Sequence, residues 1–158
     1  MTGRSGASTG GIRRATTADA AAVAEVWLRS RKASVPAIPA PVHTDDEVRA
    51  WFAEVVLAER ETWVAEVDGA VVGLLVLDGP WVDQLYVDPA ATGQGLGSEL
   101  IERAKAQRPD RLDLWTFQAN TGARRFYEHH GFVEVARTDA DNEEGEPDVH
   151  VRWSPERG

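Results

Sequence analysis

The chain of 158 residues has no cysteine, which excludes disulfides, thiolate metal sites and a cysteine nucleophile. It has no apolar run near the roughly 20 residues that a membrane-spanning helix needs. Residues 1–10 have no apolar core, so they are expected to form a flexible leader and not a signal peptide. Basic residues are outnumbered, 17 against 26 acids, for a formal charge of −9. No basic stripe offsets that balance, which disfavours nucleic-acid partners. These absences point to a cytoplasmic protein that engages neither nucleic acid nor membrane.

What is present fits one domain over residues 11–158. Apolar residues make up 42% of the chain and include six tryptophans, enough for a buried core. A short strand, Gly11–Ala15, precedes a helix that Thr17 is expected to cap and that runs to about Arg31, with Ala20, Val23, Val26 and Trp27 inward. Pro36, Pro39 and Pro41 keep Ala33–His43 out of regular helix. Thr44 and Glu47 form a capping box for a second helix that turns Val48, Trp51, Phe52, Val55 and Val56 inward. Asp68-Gly69 joins strands Thr62–Val67 and Ala70–Leu77 as a hairpin, and Trp81–Val87 is a fourth strand. Then come a helix, strand Arg111–Phe117, helix Thr121–His130 with Gly131 as its stop, and a last hairpin, Phe132–Thr138 with Val149–Trp153. The pattern describes an α/β (α+β) three-layer fold with helices on both faces of the sheet.

The segment Leu85–Ser98 carries the strongest functional signal. Its strand end meets a proline turn, then Gly93-Gln94-Gly95-Leu96-Gly97-Ser98, then an amphipathic helix with Leu96, Leu100, Ile101 and Ala104 on one face. Backbone N–H groups at a helix start carry partial positive charge, and the glycines clear their approach, so an anion such as phosphate is expected there. A nucleotide triphosphate loop would need a lysine, and this run has none. A dinucleotide fingerprint would need its third glycine one residue later.

The loop resembles the Gln/Arg-x-x-Gly-x-Gly/Ala signature of the GCN5-related N-acetyltransferases, with Thr92 where that family usually has Gln or Arg. Asn120, Ala123, Tyr127, Gly131 and Phe132 look like the family's Asn-x-x-Ala-x-x-x-Tyr…Gly-Phe block, and they follow a strand as the family order requires. The resemblance runs from about Ile12 to Trp153. It implies a mixed, mostly antiparallel central sheet with a splay between strands four and five. It also implies acetyl-CoA as co-substrate, with the pyrophosphate on residues 93–98 and the pantetheine arm on the backbone of Leu85, Tyr86 and Val87. A homodimer through the last strands is a further expectation of that kind.

For the chemistry, the resemblance makes Tyr127 the general acid that protonates the departing thiolate. Asn120 is expected to cap its helix and contact pantetheine. The general base is open: Asp83, taken to share the face of Leu85 by strand alternation, is the first candidate, His43 the second, and a water chain the alternative. Trp115 stands where some relatives carry a glutamate. His129 and His130 are adjacent, hence on different helix faces, so no metal is expected. The acidic run Asp139–Asp148 reads as a solvated hairpin loop or as a rim that attracts a cationic amine. The acceptor is expected to be the amine of a small molecule. The alternatives are a protein lysine or N-terminus, and a non-catalytic CoA-binding module.

Overall fold

The computed structural model describes residues 11–34, 41–139 and 145–155. The leader, most of the proline-rich segment and the centre of the acidic run lie outside the described residues. In chain order the elements are β1 (Gly11–Arg14), a 3-10 turn (Thr17–Asp19), α1 (Ala20–Ala33) and α2 (Asp45–Trp51). A π-helical turn (Phe52–Val56) and a last helical turn (Leu57–Glu59) continue α2. There follow β2 (Glu61–Val67), β3 (Ala70–Asp78), β4 (Trp81–Val87) and a 3-10 turn (Pro89–Ala91). The rest is α3 (Leu96–Gln107), β5 (Leu112–Phe117), α4 (Thr121–His129), β6 (Val133–Arg137) and β7 (Asp148–Trp153).

The strands form one sheet in the order β1-β2-β3-β4-β5-β7-β6. Every neighbouring pair is antiparallel except β4 with β5. The apolar run Leu74–Leu77 is buried on both faces of β3 because helices cover both. Leu74 and Val76 pack with Val23, Val26, Trp27 and Phe52 under α1 and α2. Leu75 and Leu77 pack with Leu100, Ile101 and Ala104 under α3. Two apolar layers thus grip the sheet centre, and the expected three-layer, mostly antiparallel fold is the one observed.

Local differences have local causes. Thr16, not Thr17, stands before the first helical turn, and Asp19 Oδ2 accepts from its backbone N–H at 2.8 Å. The Thr44–Glu47 capping box is present, with reciprocal bonds of 3.1 and 2.8 Å. In α2 the buried stripe is Val48, Phe52 and Val56, spaced one turn apart, while Val55 is only half-buried. Asp68 and Gly69 both take positive φ, as a tight hairpin turn requires.

Gly73 on β3 shows how closely α3 sits on the sheet. A Cβ there would lie 3.2 Å from Leu100 Cδ1, 3.2 Å from Ala65 Cβ and 3.3 Å from the Tyr86 carbonyl oxygen. Two of those neighbours belong to the sheet and cannot swing aside. Gly73→Val should therefore cost about 1–3 kcal/mol of stability by overpacking. A thermal melt unchanged from wild type would show that α3 lifts away without cost.

Candidate active site

The site begins where β4 and β5 part. The parallel ladder joins them at one register pair, Trp81 with Asp113. Beyond it, β5 pairs with β7 from Leu112 to Phe117, and β4 stays with β3 through Val87. Asp88 N–H donates to the Val72 carbonyl at 2.7 Å, so alternation along the antiparallel ladder turns Tyr86 toward β3 and turns Leu85 and Val87 toward the gap. Ser30 of α1 donates its hydroxyl to the Val87 carbonyl at 3.0 Å, as that orientation demands. Buried backbone groups need partners, so this edge is prepared for a chain bearing amides. Of the three residues named for pantetheine, Leu85 and Val87 present backbone to the gap, whereas Tyr86 bonds into the sheet.

Leu85, Tyr86 and Val87 line a cleft of about 470 Å³ with Ser30, Thr92, Asn120 and Tyr127. A depression of about 250 Å³ adjoins it, walled by Gly93, Gly95, Leu96 and Ser98. The two share Val87, Thr92, Gly97 and Phe126 and are continuous. Gly93 and Gly95 have φ of 84° and 79°, a left-handed backbone that suits glycine, and a Cβ at either would meet nothing within 4 Å. Gly95 is the residue before α3, so the free N–H groups begin at Leu96. Gly97 differs, because its Cβ would touch the Phe126 ring at 3.4 Å and narrow the passage between depression and cleft. An open cradle at a helix start fits the phosphates of CoA, and the cleft behind it fits a slender amide arm.

Asp88 holds the loop to the rest of the molecule. Its carboxylate accepts from Ala90 N–H at 3.0 Å and from Arg29 Nε at 2.8 Å. Burial works to raise its pKa, but the Ala90 bond and the Arg29 charge outweigh burial and leave it below the usual range. Thr92 Oγ1 donates to the Pro89 carbonyl at 3.1 Å and closes the same turn, so this residue braces the loop through its hydroxyl.

Tyr127 is 8% exposed, the most buried residue of α4, and lies between Phe126 and Phe132 at the floor of the cleft. Burial, and secondarily Tyr86, pushes its phenol well above the ordinary tyrosine range, so it keeps its proton. The Asn120 side chain accepts from Ala123 N–H at 3.1 Å, which is the helix cap, and the residue also lines the cleft.

The base candidates lie apart from Tyr127. Alternation placed Asp83 on the face of Leu85, and the structure overturns that. A β-bulge falls between the pairs Val76–Gln84 and Leu77–Val82, so Asp83 is the extra residue. Val82 and Leu85 therefore share the α3 side, while Asp83 is turned to the α2 side and pairs with Arg60 at 2.5 Å, itself over the Trp51 ring. His43, about half exposed, has Nδ1 3.6 Å from Glu47 Oε1. It lines a cavity of about 510 Å³ with Trp27, Arg31, Glu47, Trp51 and Gln84. Trp27 Nε1 donates to Gln84 Oε1 at 2.9 Å, which fixes the wall nearest the splay.

Two features were missed at the sequence level. Trp81 and Trp115 lie parallel within 4°, centroids 6.4 Å apart, with His150 4.9 and 5.1 Å from them. This platform covers the root of the splay, and Trp115 is 45% exposed. Beneath it Asp113 is buried, accepting from His150 at 2.8 Å and Arg152 at 2.7 Å with Arg111 at 2.8 Å. The second feature is Arg31, 4% exposed, over the rings of Trp27 and Phe117. The platform is assembled from three strands and leaves no contiguous signature. The isolated acid in Leu112-Asp113-Leu114 was the available hint of a partnered face.

A gap that offers strand backbone to an amide chain, beside a helix start opened for phosphate, fits the arm and phosphates of CoA in an acyltransferase. The family model described as Acetyltransferase (GNAT) domain matches residues 58–134. The peptidyl-lysine N-acetyltransferase YjaB of Salmonella typhimurium is 32% identical over 135 residues, covering 83% of this chain and 88% of the relative. The peptidyl-lysine N-acetyltransferase YiaC of Escherichia coli is 32% identical over 124 residues, covering 77% and 82%. The solution structure of apo-form YjaB from Escherichia coli is similar at a TM-score of 0.73 and 26% identity, covering 90% of this chain and 95% of that one. The chain belongs to the GCN5-related N-acetyltransferase family and is an acyltransferase that uses acetyl-CoA. That assignment sets aside the non-catalytic alternative.

Asp88 allows a test of loop anchoring. Its depressed pKa means that its stabilisation is present above the unfolded value near 3.9 and is lost as pH falls through the folded one. Asp88→Ala should cost about 0.5–2 kcal/mol at pH 7, the range for a lost cap. The gap from wild type in thermal melts should shrink as pH drops below about 4. A gap independent of pH would mean that the carboxylate charge contributes nothing.

Proposed function

We propose that this enzyme moves the acetyl group of acetyl-CoA to the ε-amine of lysine in proteins. The observation that carries this reading is the platform of Trp81, Trp115 and His150, open to solvent at the root of the splay. Indole faces attract ammonium groups and pack against methylene stems, so an extended lysine side chain suits that approach. The names of the two similar curated relatives support it as well. Acetyl-CoA supplies an activated thioester. The Leu85 N–H polarises the carbonyl from the exposed edge of β4, as an oxyanion donor does. The amine nitrogen attacks with its lone pair, the C–S bond breaks, and Tyr127 gives its phenolic proton to sulfur. The proton shed by the amine leaves on the solvent side, through water in the cavity that His43 lines. Asp83 is a weaker candidate for that step, because its pair with Arg60 would have to open first.

A small-molecule amine is the second reading. The 510 Å³ cavity favours it, being of the size that encloses a small ligand and carrying the Glu47 carboxylate on its wall.

Acetyl-CoA should be consumed when the enzyme meets lysine-containing peptides, with a mass gain of one acetyl group on lysine. Turnover confined to free polyamines or amino acids would sink the protein-lysine reading in favour of the second. Tyr127→Phe should lower kcat about 100-fold, the modest end of general-acid contributions, with little change in KM for acetyl-CoA. Because burial raises the Tyr127 pKa, wild-type kcat should not fall with rising pH until above about 10. A descending limb near pH 8 would assign the proton donor elsewhere.

A further inference from the structure

The wall of the glycine-loop depression continues into a chain of polar side chains that the reaction does not use. Ser98, in the first turn of α3, has its Oγ 3.0 Å from His130 Nε2. The other ring nitrogen, Nδ1, is 3.4 Å from Glu102 Oε2, one turn along α3. The ring is fixed from behind: it packs on Phe126 with centroids 4.7 Å apart, and its side chain is only 11% exposed. The His130 N–H is bonded into the end of α4, and its carbonyl accepts from Lys105 Nζ at 2.7 Å. The titratable groups facing the ring are Glu102 and Lys105 from α3 and the adjacent His129.

The hydroxyl has one proton to give. The Glu102 carboxylate can only accept, so a neutral ring carries its hydrogen on Nδ1, and Nε2 then accepts from Ser98. When Ser98 turns its proton to a phosphate oxygen, Nε2 must carry a hydrogen to keep its bond to Oγ. A ring protonated on Nε2 alone would set the Nδ1 lone pair against the Glu102 carboxylate. A doubly protonated ring satisfies both neighbours. We infer that His130 is a positioning residue for the phosphate site, and that it takes up a proton when the pyrophosphate of CoA engages Ser98. The inference rests on reading residues 93–98 as the CoA phosphate cradle. Before binding, burial holds the ring's pKa below the usual histidine value, although Glu102 pulls it upward, so the ring starts neutral at pH 7. A buried imidazolium next to a bound anion reverses that balance.

The test is calorimetric titration with dephospho-CoA, whose diphosphate does not titrate near neutrality. Runs at pH 7.5 in buffers of different ionisation heat count the protons exchanged, and Kd is then measured from pH 6 to 9. Wild type should take up a substantial fraction of one proton, and its affinity should weaken about five-fold or more across that range, in the span of ordinary linkage couplings. His130→Gln can still bond to Ser98 but cannot titrate, so it should bind with flat pH dependence. Ser98→Ala, a one-atom truncation at the start of α3, should abolish the uptake independently of how His130→Gln folds. Dephospho-CoA binding without proton uptake by wild type, or uptake that survives Ser98→Ala, would overturn the inference. Failure of both CoA and dephospho-CoA to bind would instead overturn the cradle itself.

Discussion

One register pair between parallel strands, Trp81 with Asp113, governs the geometry of the site. Each strand is fully engaged on its far side, β4 by β3 and β5 by β7, so neither can shift to close the gap. Sheet edges inside a domain leave N–H and C=O groups without partners, and such groups are costly unless something satisfies them. Ser30 meets the Val87 carbonyl from α1. The remaining edge is left for an amide-bearing chain. The opening therefore belongs to the topology: a helical crossover delivers β5 parallel to β4, and the β6–β7 hairpin then holds β5 on its other side.

That single pair needs an anchor, and Asp113 provides one. A carboxylate with no exposed surface is expensive to bury, and two arginines together with a hydrogen bond from His150 offset the cost. Burial alone would raise its pKa, yet the bonds from Arg152 and His150 keep it below the ordinary range. The same contacts hold His150 beside Trp81 and Trp115. Strand registration and the Trp81–Trp115–His150 platform are therefore one assembly, held through the same carboxylate.

The donor half of the enzyme was readable because it is contiguous. The glycines, the capping asparagine and the tyrosine occupy fixed positions on two loop–helix segments, where spacing carries geometry. Strand and helix limits followed from apolar period and from punctuation such as Asp68-Gly69 and Thr44–Glu47. The face of Asp83 was misjudged because strict alternation assumes a regular strand, and a bulge inserts one residue without marking the sequence. Gly97 was read as an opening for phosphate, whereas it clears a path past Phe126 that only the packing of α4 on α3 reveals. His130, set aside as a metal ligand, found Ser98 as a partner 32 positions away on another helix.

Donor and acceptor sides also differ in how they treat protons. Transfer needs a group that keeps its proton until sulfur departs, and a route by which the amine loses one. In the proposed mechanism burial secures the first, since the Tyr127 phenol ionises only far above neutrality. In the same mechanism the second runs through the cavity bordered by His43, Glu47 and Gln84. The proposed proton donor and the proposed proton exit thus lie on opposite faces of β4. The bulge turns Asp83 the same way, off the face that Leu85 shares with Tyr127.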